Sequence, residues 1–317
     1  MNAYYMTGYG GSEVMQYGKI EEPSLRGGQV LVKVRAVSLN PVDWKIREGQ
    51  TKLITGKRFP KILGSDFAGE IIQLSEDATS CKEGERVYGF IPIFLKKQGA
   101  LTEKVVVSVS SVRKIPSDWP YEIAAALPVA ALTAQNGLRQ CGDLAGKSIL
   151  INGGTGGVGH YAVQIAVSRG AKVTVTCSSG NFKIANSLGA SRVIDYRERD
   201  VTAEPEKFDI IFDAYGKMKF SDAKKVLVPE GIFTTTLGTP TLYFKKIWHN
   251  LWSGQKFLLA NFRGRPEDYQ SLENLIENGM VQPLIGRTFT FDQTHLAFEA
   301  LEKGGVPGKI IVLIGNS

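Results

Sequence analysis

The chain has 317 residues, 43% of them hydrophobic, and a formal net charge of +7, enough apolar length for a substantial core and two domains. Its basic residues occur as scattered short pairs (Lys96-Lys97, Lys224-Lys225, Lys245-Lys246) rather than as a stripe, and no nucleic-acid motif is present, so no nucleic-acid partner is expected. Three widely spaced cysteines, Cys81, Cys141 and Cys177, exclude a disulfide framework; with no leader-like start and no apolar run of about 18 residues, a cytoplasmic protein is expected.

Residues 1–120 are rich in strand-like segments divided by glycine and proline. Gln29–Val37 nearly alternates and Thr102–Ser108 is a second β run, while Gly64–Ile72 and Gly84–Phe90 read as turn-plus-strand units. Helical patterning begins near Tyr121, with one segment before Pro128 and another after Leu132. From Lys147 onward strands alternate with helices. The strands expected are Lys147–Asn152, Ala171–Thr176, Arg192–Asp195, Phe208–Phe212, Gly231–Thr235 and Lys256–Ala260. Such alternation predicts a parallel sheet covered by helices on both faces. A helix over Pro266–Asn278 with Gly279 as its stop, the run Phe289-Thr-Phe291, a last helix and the strand Lys309–Ile314 complete the chain.

Between the first two strands of the alternating part stands Gly153-Gly-Thr-Gly-Gly-Val-Gly159. Gly154, Gly156 and Gly159 form G-x-G-x-x-G, which seats a dinucleotide pyrophosphate at a helix N-terminus. Alone the pattern is weak in a chain with 35 glycines, but here a strand precedes it and a helix and second strand follow within one βαβ unit. Gly154, Thr155, Gly156, Gly157, Val158 and Gly159 are therefore expected to bind the cofactor.

An Asp or Glu at the end of the second strand would select NAD through the ribose 2′-hydroxyl. This chain has Cys177-Ser-Ser-Gly-Asn-Phe-Lys183 there, and no acid anywhere from Leu144 to Ile194. Ser178, Ser179 and Lys183 suit a 2′-phosphate, so NADPH is expected. The competing reading is that the serines cap the next helix and Lys183 is solvated.

These features, with Ser38–Lys45 (SLNPVDWK), Gly64–Glu70 (GSDFAGE) and Ala126–Ala134 (ALPVAALTA) in that order, resemble the medium-chain dehydrogenase/reductase superfamily over essentially the whole chain. Within it the chain is similar to the zinc-independent quinone oxidoreductase branch, including chloroplast-envelope and reticulon-interacting mitochondrial members. The resemblance implies an α/β fold with a Rossmann doubly wound parallel-sheet domain over 121–279 and a GroES-like, mostly-β catalytic domain from 1–120 and 280–317. It adds Tyr196, Thr133, Gly308 and Lys309 to the cofactor-binding residues, and it implies a homodimer.

Zinc-dependent relatives place metal ligands at positions matching Asn40, Ser65 and Val129. An amide, a hydroxyl and a valine cannot supply a catalytic zinc, and His160, His249 and His295 stand isolated, so no metal is expected. Hydride delivery to an α,β-unsaturated ketone or quinone suits such a site, because the developing charge spreads over an enolate or hydroquinone. Asn40 is the first catalytic candidate, as an amide donor, with Asp43 orienting it and Trp44 as an aromatic wall. Each also has an ordinary role: Asn-Pro initiates turns, Asp43 can cap a helix and Trp44 can be core. A cofactor-binding regulator or scaffold with little turnover is the alternative from another class, and a zinc alcohol dehydrogenase is disfavoured. The aromatic and basic segment Leu242–Trp252 suits a substrate mouth, a peripheral membrane contact, a dimer edge or an ordinary packing element.

Overall fold

The computed structural model describes residues 1–94, 98–236, 250 and 254–315. They fall into two units: Met1–Val129 joined by Ile285–Ser317, and Ala130–Leu284. The first unit thus runs past the expected boundary at 120. Its helix α3 (Tyr121–Ala125), as labelled below, lies against strands of that unit.

In unit 1 the chain forms β1 (Asn2–Met6), β2 (Met15–Lys19), β3 (Gln29–Leu39), α1 (Pro41–Arg47), α2 (Lys52–Thr55), β4 (Lys61–Ile62), β5 (Asp66–Leu74), β6 (Arg86–Phe90), β7 (Lys104–Ser108), β8 (Val112–Lys114) and α3. A three-stranded sheet has the order β2-β1-β4. The larger sheet is built on β3, which pairs antiparallel with β5 along one edge. Its other edge is shared: Gln29–Lys33 meets β7, and Ala36–Leu39 meets the last strand of the chain. This explains why β3 does not keep the alternation expected of a one-sided strand. Val30, Leu31 and Val32 are buried in succession, as in a strand covered on both faces.

Unit 2 follows α4 (Pro128–Arg139), which runs across the boundary. It contains β9 (Ser148–Asn152), α5 (Gly159–Ser168), β10 (Lys172–Cys177), α6 (Phe182–Ser187), β11 (Arg192–Asp195), β12 (Phe208–Asp213), α7 (Phe220–Ala223), β13 (Leu227–Thr235), β14 (Lys256–Leu259) and α8 (Pro266–Glu277). All pairings in its six-stranded sheet are parallel, in the order β11-β10-β9-β12-β13-β14. The order of strands reverses direction between β9 and β12, the switch point of a doubly wound sheet where ligands bind beyond the strand ends. Leu150, Ile211, Phe208, Phe233 and Phe257 form the core at one face of the sheet, each contributing roughly 1.5–3 kcal/mol through burial. The positive-φ glycines Gly170 (φ 78°) and Gly279 (φ 68°) follow α5 and α8, as the helix-stop reading requires.

The chain then returns to unit 1 as β15 (Ile285–Thr290), α9 (Thr294–Lys303) and β16 (Lys309–Leu313). β16 pairs antiparallel with β3, Ile310 opposite Leu39. Phe298, Ile310 and Val312 join Val32, Val34 and Phe67 in one core. Arg47, buried at the end of α1, forms a two-pronged ion pair with Glu302 of α9 at 2.6 and 3.1 Å, which anchors α1. No described helix is long and apolar enough to cross a membrane.

Candidate active site

The glycine loop leaves the carboxyl end of β9 and enters α5. Gly153 sits at φ 77°, and its N–H donates to Thr176 Oγ1 at 2.9 Å. The three motif glycines serve different purposes. A Cβ on Gly154 would lie 2.5 Å from Val175 Cγ1, and one on Gly159 would lie 2.1 Å from the Gly153 carbonyl oxygen. Both are demanded by packing. A Cβ on Gly156 would meet only the Gly153 oxygen, at 3.4 Å, and its φ is not positive. Nothing in the chain's own packing requires glycine there, whereas a pyrophosphate resting on the loop would. Among the described residues, the N–H groups of Thr155, Gly157 and Val158 have no acceptor. The loop therefore fits a dinucleotide. Thr155, nearly buried, accepts from Asn181 Nδ2 at 3.4 Å, which leaves its hydroxyl hydrogen available.

His160, wholly buried in the first turn of α5, braces the loop from behind. Leu284 N–H donates to its Nε2 at 3.1 Å, so Nδ1 carries the hydrogen and donates to the Gly156 carbonyl at 2.9 Å. A one-way chain of hydrogen bonds fixes the other flank. Thr176 Oγ1 donates to Asn152 Oδ1 at 2.7 Å, and Asn152 Nδ2 donates to Asp213 Oδ1 at 2.8 Å. Asp213 also accepts from Gly216 N, Met218 N and Thr235 Oγ1, each at 3.0 Å. Burial pushes its carboxyl up, and these donors offset part of that.

At the ends of β10 and β11, Cys177 pairs with Asp195, which brings Ser178 and Ser179 beside Tyr196. Lys183 follows as the second residue of α6, and it is exposed, as are Ser179 and Tyr196. Ser178, Ser179 and Tyr196 thus gather at one strand end, with Lys183 in the helix that follows. Sequence reasoning missed two others. Asp195 lies one residue beyond the acid-free stretch and brings a carboxylate to this place. Its oxygens, however, accept from Ser179 N at 2.8 Å and Arg197 N at 2.9 Å. Those backbone donors, Arg197's foremost, hold its carboxyl below the usual range, so it is committed to shaping the loop. Arg197 adds a second cation, its guanidinium 5.6 Å from the Tyr196 ring centroid.

A second constellation lies in unit 1, at the ends of β3, β5 and β16. Asn40 begins α1 as its N-cap: its backbone N–H donates to Asp43 Oδ2 at 2.8 Å, while Gly64 N donates to Asp43 Oδ1 at 2.9 Å. The Asn40 side chain is pinned at both ends. Lys309 Nζ donates to its Oδ1 at 2.5 Å, and its Nδ2 donates to Asp66 Oδ2 at 2.8 Å. The second Nδ2 hydrogen has only longer contacts, to Ser65 Oγ at 3.3 Å and the Ser38 carbonyl at 3.5 Å. Asp66 also receives Val129 N–H at 3.2 Å and lies 3.8 Å from the Lys309 ammonium. All four groups are buried. Burial pushes Asp43 up to about 6 and Asp66 up to about 7, and it lowers Lys309.

The sequence readings of Asn40 and Asp43 as neighbours thus meet here, with Asp43 in the capping role. Trp44, half-buried, packs against the unit 1 core. Lys309, expected among the cofactor-binding residues, donates to Asn40 and stands just after Gly308 at φ 66°. Thr133 is buried in the second turn of α4. Asp66 was part of a quoted motif but had no role assigned. Its signal, shared with Lys309, is a charged residue at the head of an otherwise buried strand. The segment Leu242–Trp252 lies outside the described residues except for Asn250.

The positions that match zinc ligands do come together, since Asn40 and Ser65 touch and Val129 reaches Asp66 through its backbone. Their chemistry does not fit the metal. The amide oxygen is occupied by an ammonium, Ser65 offers a neutral hydroxyl and Val129 offers no donor. Among the described residues, no group of three or more His, Cys, Asp or Glu is placed to hold a metal ion.

Comparison with known proteins places this geometry. Residues 26–117 match the alcohol dehydrogenase GroES-like domain, and residues 188–312 match the zinc-binding dehydrogenase family. The chain is 34% identical to the 2-methylene-furan-3-one reductase of Solanum lycopersicum, an alignment covering 98% of this chain and 79% of the relative. It is 32% identical, with the same coverage, to the chloroplastic NADPH-dependent alkenal/one oxidoreductase of Arabidopsis thaliana. The solved quinone oxidoreductase of Coxiella burnetii superposes with a TM-score of 0.90 at 27% identity, over 99% of both chains. By these matches and by its two folds, the chain belongs to the medium-chain dehydrogenase/reductase family.

Proposed function

We propose that the chain is an NADPH-dependent reductase that acts without zinc on an α,β-unsaturated ketone or a quinone. The observation that carries this reading is the strand-end group of Ser178, Ser179, Lys183, Tyr196 and Arg197, beside which the Asp195 carboxylate is spent on backbone N–H groups. Two cations and two hydroxyls suit a 2′-phosphate, and charge-assisted bonds of this kind contribute on the order of 1.5–3 kcal/mol each before solvent screening. The relatives named for alkenal/one and quinone chemistry support the substrate class.

When bound, the nicotinamide supplies a hydride to the electrophilic carbon of the acceptor. In unit 2 the Gly153–Gly159 loop would hold the dinucleotide. In unit 1, taken by itself, the Lys309 ammonium and the loosely held Nδ2 hydrogen of Asn40 are the donors suited to a negatively charged oxygen. Asp43 keeps Asn40 in place, and solvent supplies the final proton.

The test is NADPH oxidation by the purified protein with a panel of enones, quinones and aldehydes, with metal content measured on the same sample. Turnover of enones or quinones by metal-free protein is expected. Tight NADPH binding without turnover of any acceptor would make the chain a cofactor-binding regulator instead, and one stoichiometric zinc would overturn the metal-free reading. A homodimer and a cytoplasmic location belong to the same proposal and are checked by light scattering and by fractionation.

A further inference from the structure

We propose that Tyr215 and Lys217 form a second wall of the dinucleotide site, with Lys217 supplying the positive charge that the pyrophosphate meets beside the glycine loop. This rests on the dinucleotide reading above and extends it to residues outside the motif. The loop Gly153–Gly159 carries no cation of its own, so its donors are neutral N–H groups and a helix end. A pyrophosphate brings two negative charges to it.

The turn after β12 stands next to that loop. Ala214 N and Tyr215 N both donate to the Asn152 carbonyl, at 3.1 and 3.2 Å, and a Cβ on Gly153 would lie 3.1 Å from Tyr215 Cβ. Asp213 holds the same turn from inside by accepting from Gly216 N and Met218 N, with Gly216 at φ 74°. The turn is therefore braced, yet it presents a Tyr215 ring that is 63% exposed. Lys217 Nζ stands 4.9 Å from the centroid of that ring. Among the described residues, no carboxylate pairs with Lys217.

A solvated lysine would need neither the braced turn nor the aromatic rest. An exposed aromatic ring at the carboxyl ends of the central strands, beside the switch point, lies where open α/β sheets receive ligands. The ring holds the ammonium in place, which limits the side-chain entropy lost when an anion arrives. Lys183 and Arg197 serve the other end of the dinucleotide, at β10 and β11, so the cations divide the work. Lys217 acts on the phosphates common to NADPH and NADH, whereas Lys183 acts on the 2′-phosphate found only in NADPH.

The experiment is a binding titration of the full chain with NADPH and with NADH, followed by calorimetry or fluorescence. Lys217→Ala should weaken both dinucleotides by a similar factor, about three- to tenfold for a screened surface charge. Lys217→Arg should stay close to wild type, and Tyr215→Ala should weaken both as the ammonium loses its rest. Thermal melts should be unchanged for all three, since both side chains are exposed. Wild-type binding with an unmoved Lys217→Ala, or a loss confined to NADPH, overturns the assignment alone. Wild-type protein that binds neither dinucleotide overturns both this assignment and the reading beneath it.

Discussion

Gly156 and Gly159 lie in one loop, three residues apart, but alanine at each should fail in a different way. At Gly159 the new methyl carbon would stand 2.1 Å from the Gly153 carbonyl oxygen and 2.8 Å from Gly154 Cα. Both are backbone atoms of the same tight turn, so relief requires the turn to open. Overpacking of this severity costs about 3 kcal/mol, or roughly 6–12 °C in the melt. At Gly156 the nearest atom would be 3.4 Å away and φ is ordinary, so Gly156→Ala should fold with stability within about 1 kcal/mol of wild type. The added methyl would instead intrude where the pyrophosphate rests, weakening NADPH by about a hundredfold, as loss of roughly 2.7 kcal/mol implies. Thermal melts and NADPH titrations on the two variants separate the cases. If Gly156→Ala binds NADPH as tightly as wild type, the pyrophosphate does not rest on this loop. If it melts as low as Gly159→Ala, the packing argument is wrong.

Three further outcomes follow from the same geometry. Lys183→Ala should weaken NADPH about tenfold and leave NADH within about twofold, and equal losses would show that Lys183 does not read the 2′-phosphate. Asp66, raised from 3.8 to about 7, keeps a proton in the folded protein that the unfolded chain releases. Its contribution is therefore full below pH of about 4 and is lost as pH rises through about 7, with Asp43 at about 6 acting in the same direction. Urea unfolding across that range should fall with pH less steeply in Asp66→Asn than in wild type, and an unchanged slope would count against the buried acid. His160→Phe leaves the half-buried Leu284 N–H without its acceptor, at a cost of about 1 kcal/mol, so a melt equal to wild type would remove the histidine from the brace.

Much of unit 2 is legible in the chain because its signals are local. Most strands are short apolar runs punctuated by glycine or a helix, and β11 spans Arg192–Asp195 as read, although β13 starts at Leu227, before the expected Gly231. The right-handed βαβ rule then leaves few strand orders to choose from. Unit 1 resists such reading. The two-residue strand β4 has no periodicity to detect, and β3 pairs with three other strands, which obscures its alternation. The candidate site divides the same way. Ser178, Ser179 and Tyr196 come together because adjacent strands end together, and Lys183 follows in the helix just after them. Lys309 meets Asn40 only because Ile310 pairs with Leu39, a register no nearby residue encodes. Asp195 was overlooked because it arrives from the neighbouring strand, and Asp213 because its partners sit on β9, β13 and the turn that follows it.

Unit 2 is one unbroken stretch of chain, whereas unit 1 is assembled from its beginning and its end. During synthesis, the Ala36–Leu39 edge of β3 and the acids Asp43 and Asp66 emerge long before β16 and its lysine. Until then that strand edge is unpaired, open to pairing with another copy, and the two acids have no cation to be buried with. An unpaired edge of this kind favours pairing with another copy until β16 emerges to cover it. Premature stops before Lys309 should therefore yield insoluble protein, even though the whole dinucleotide unit has already been made.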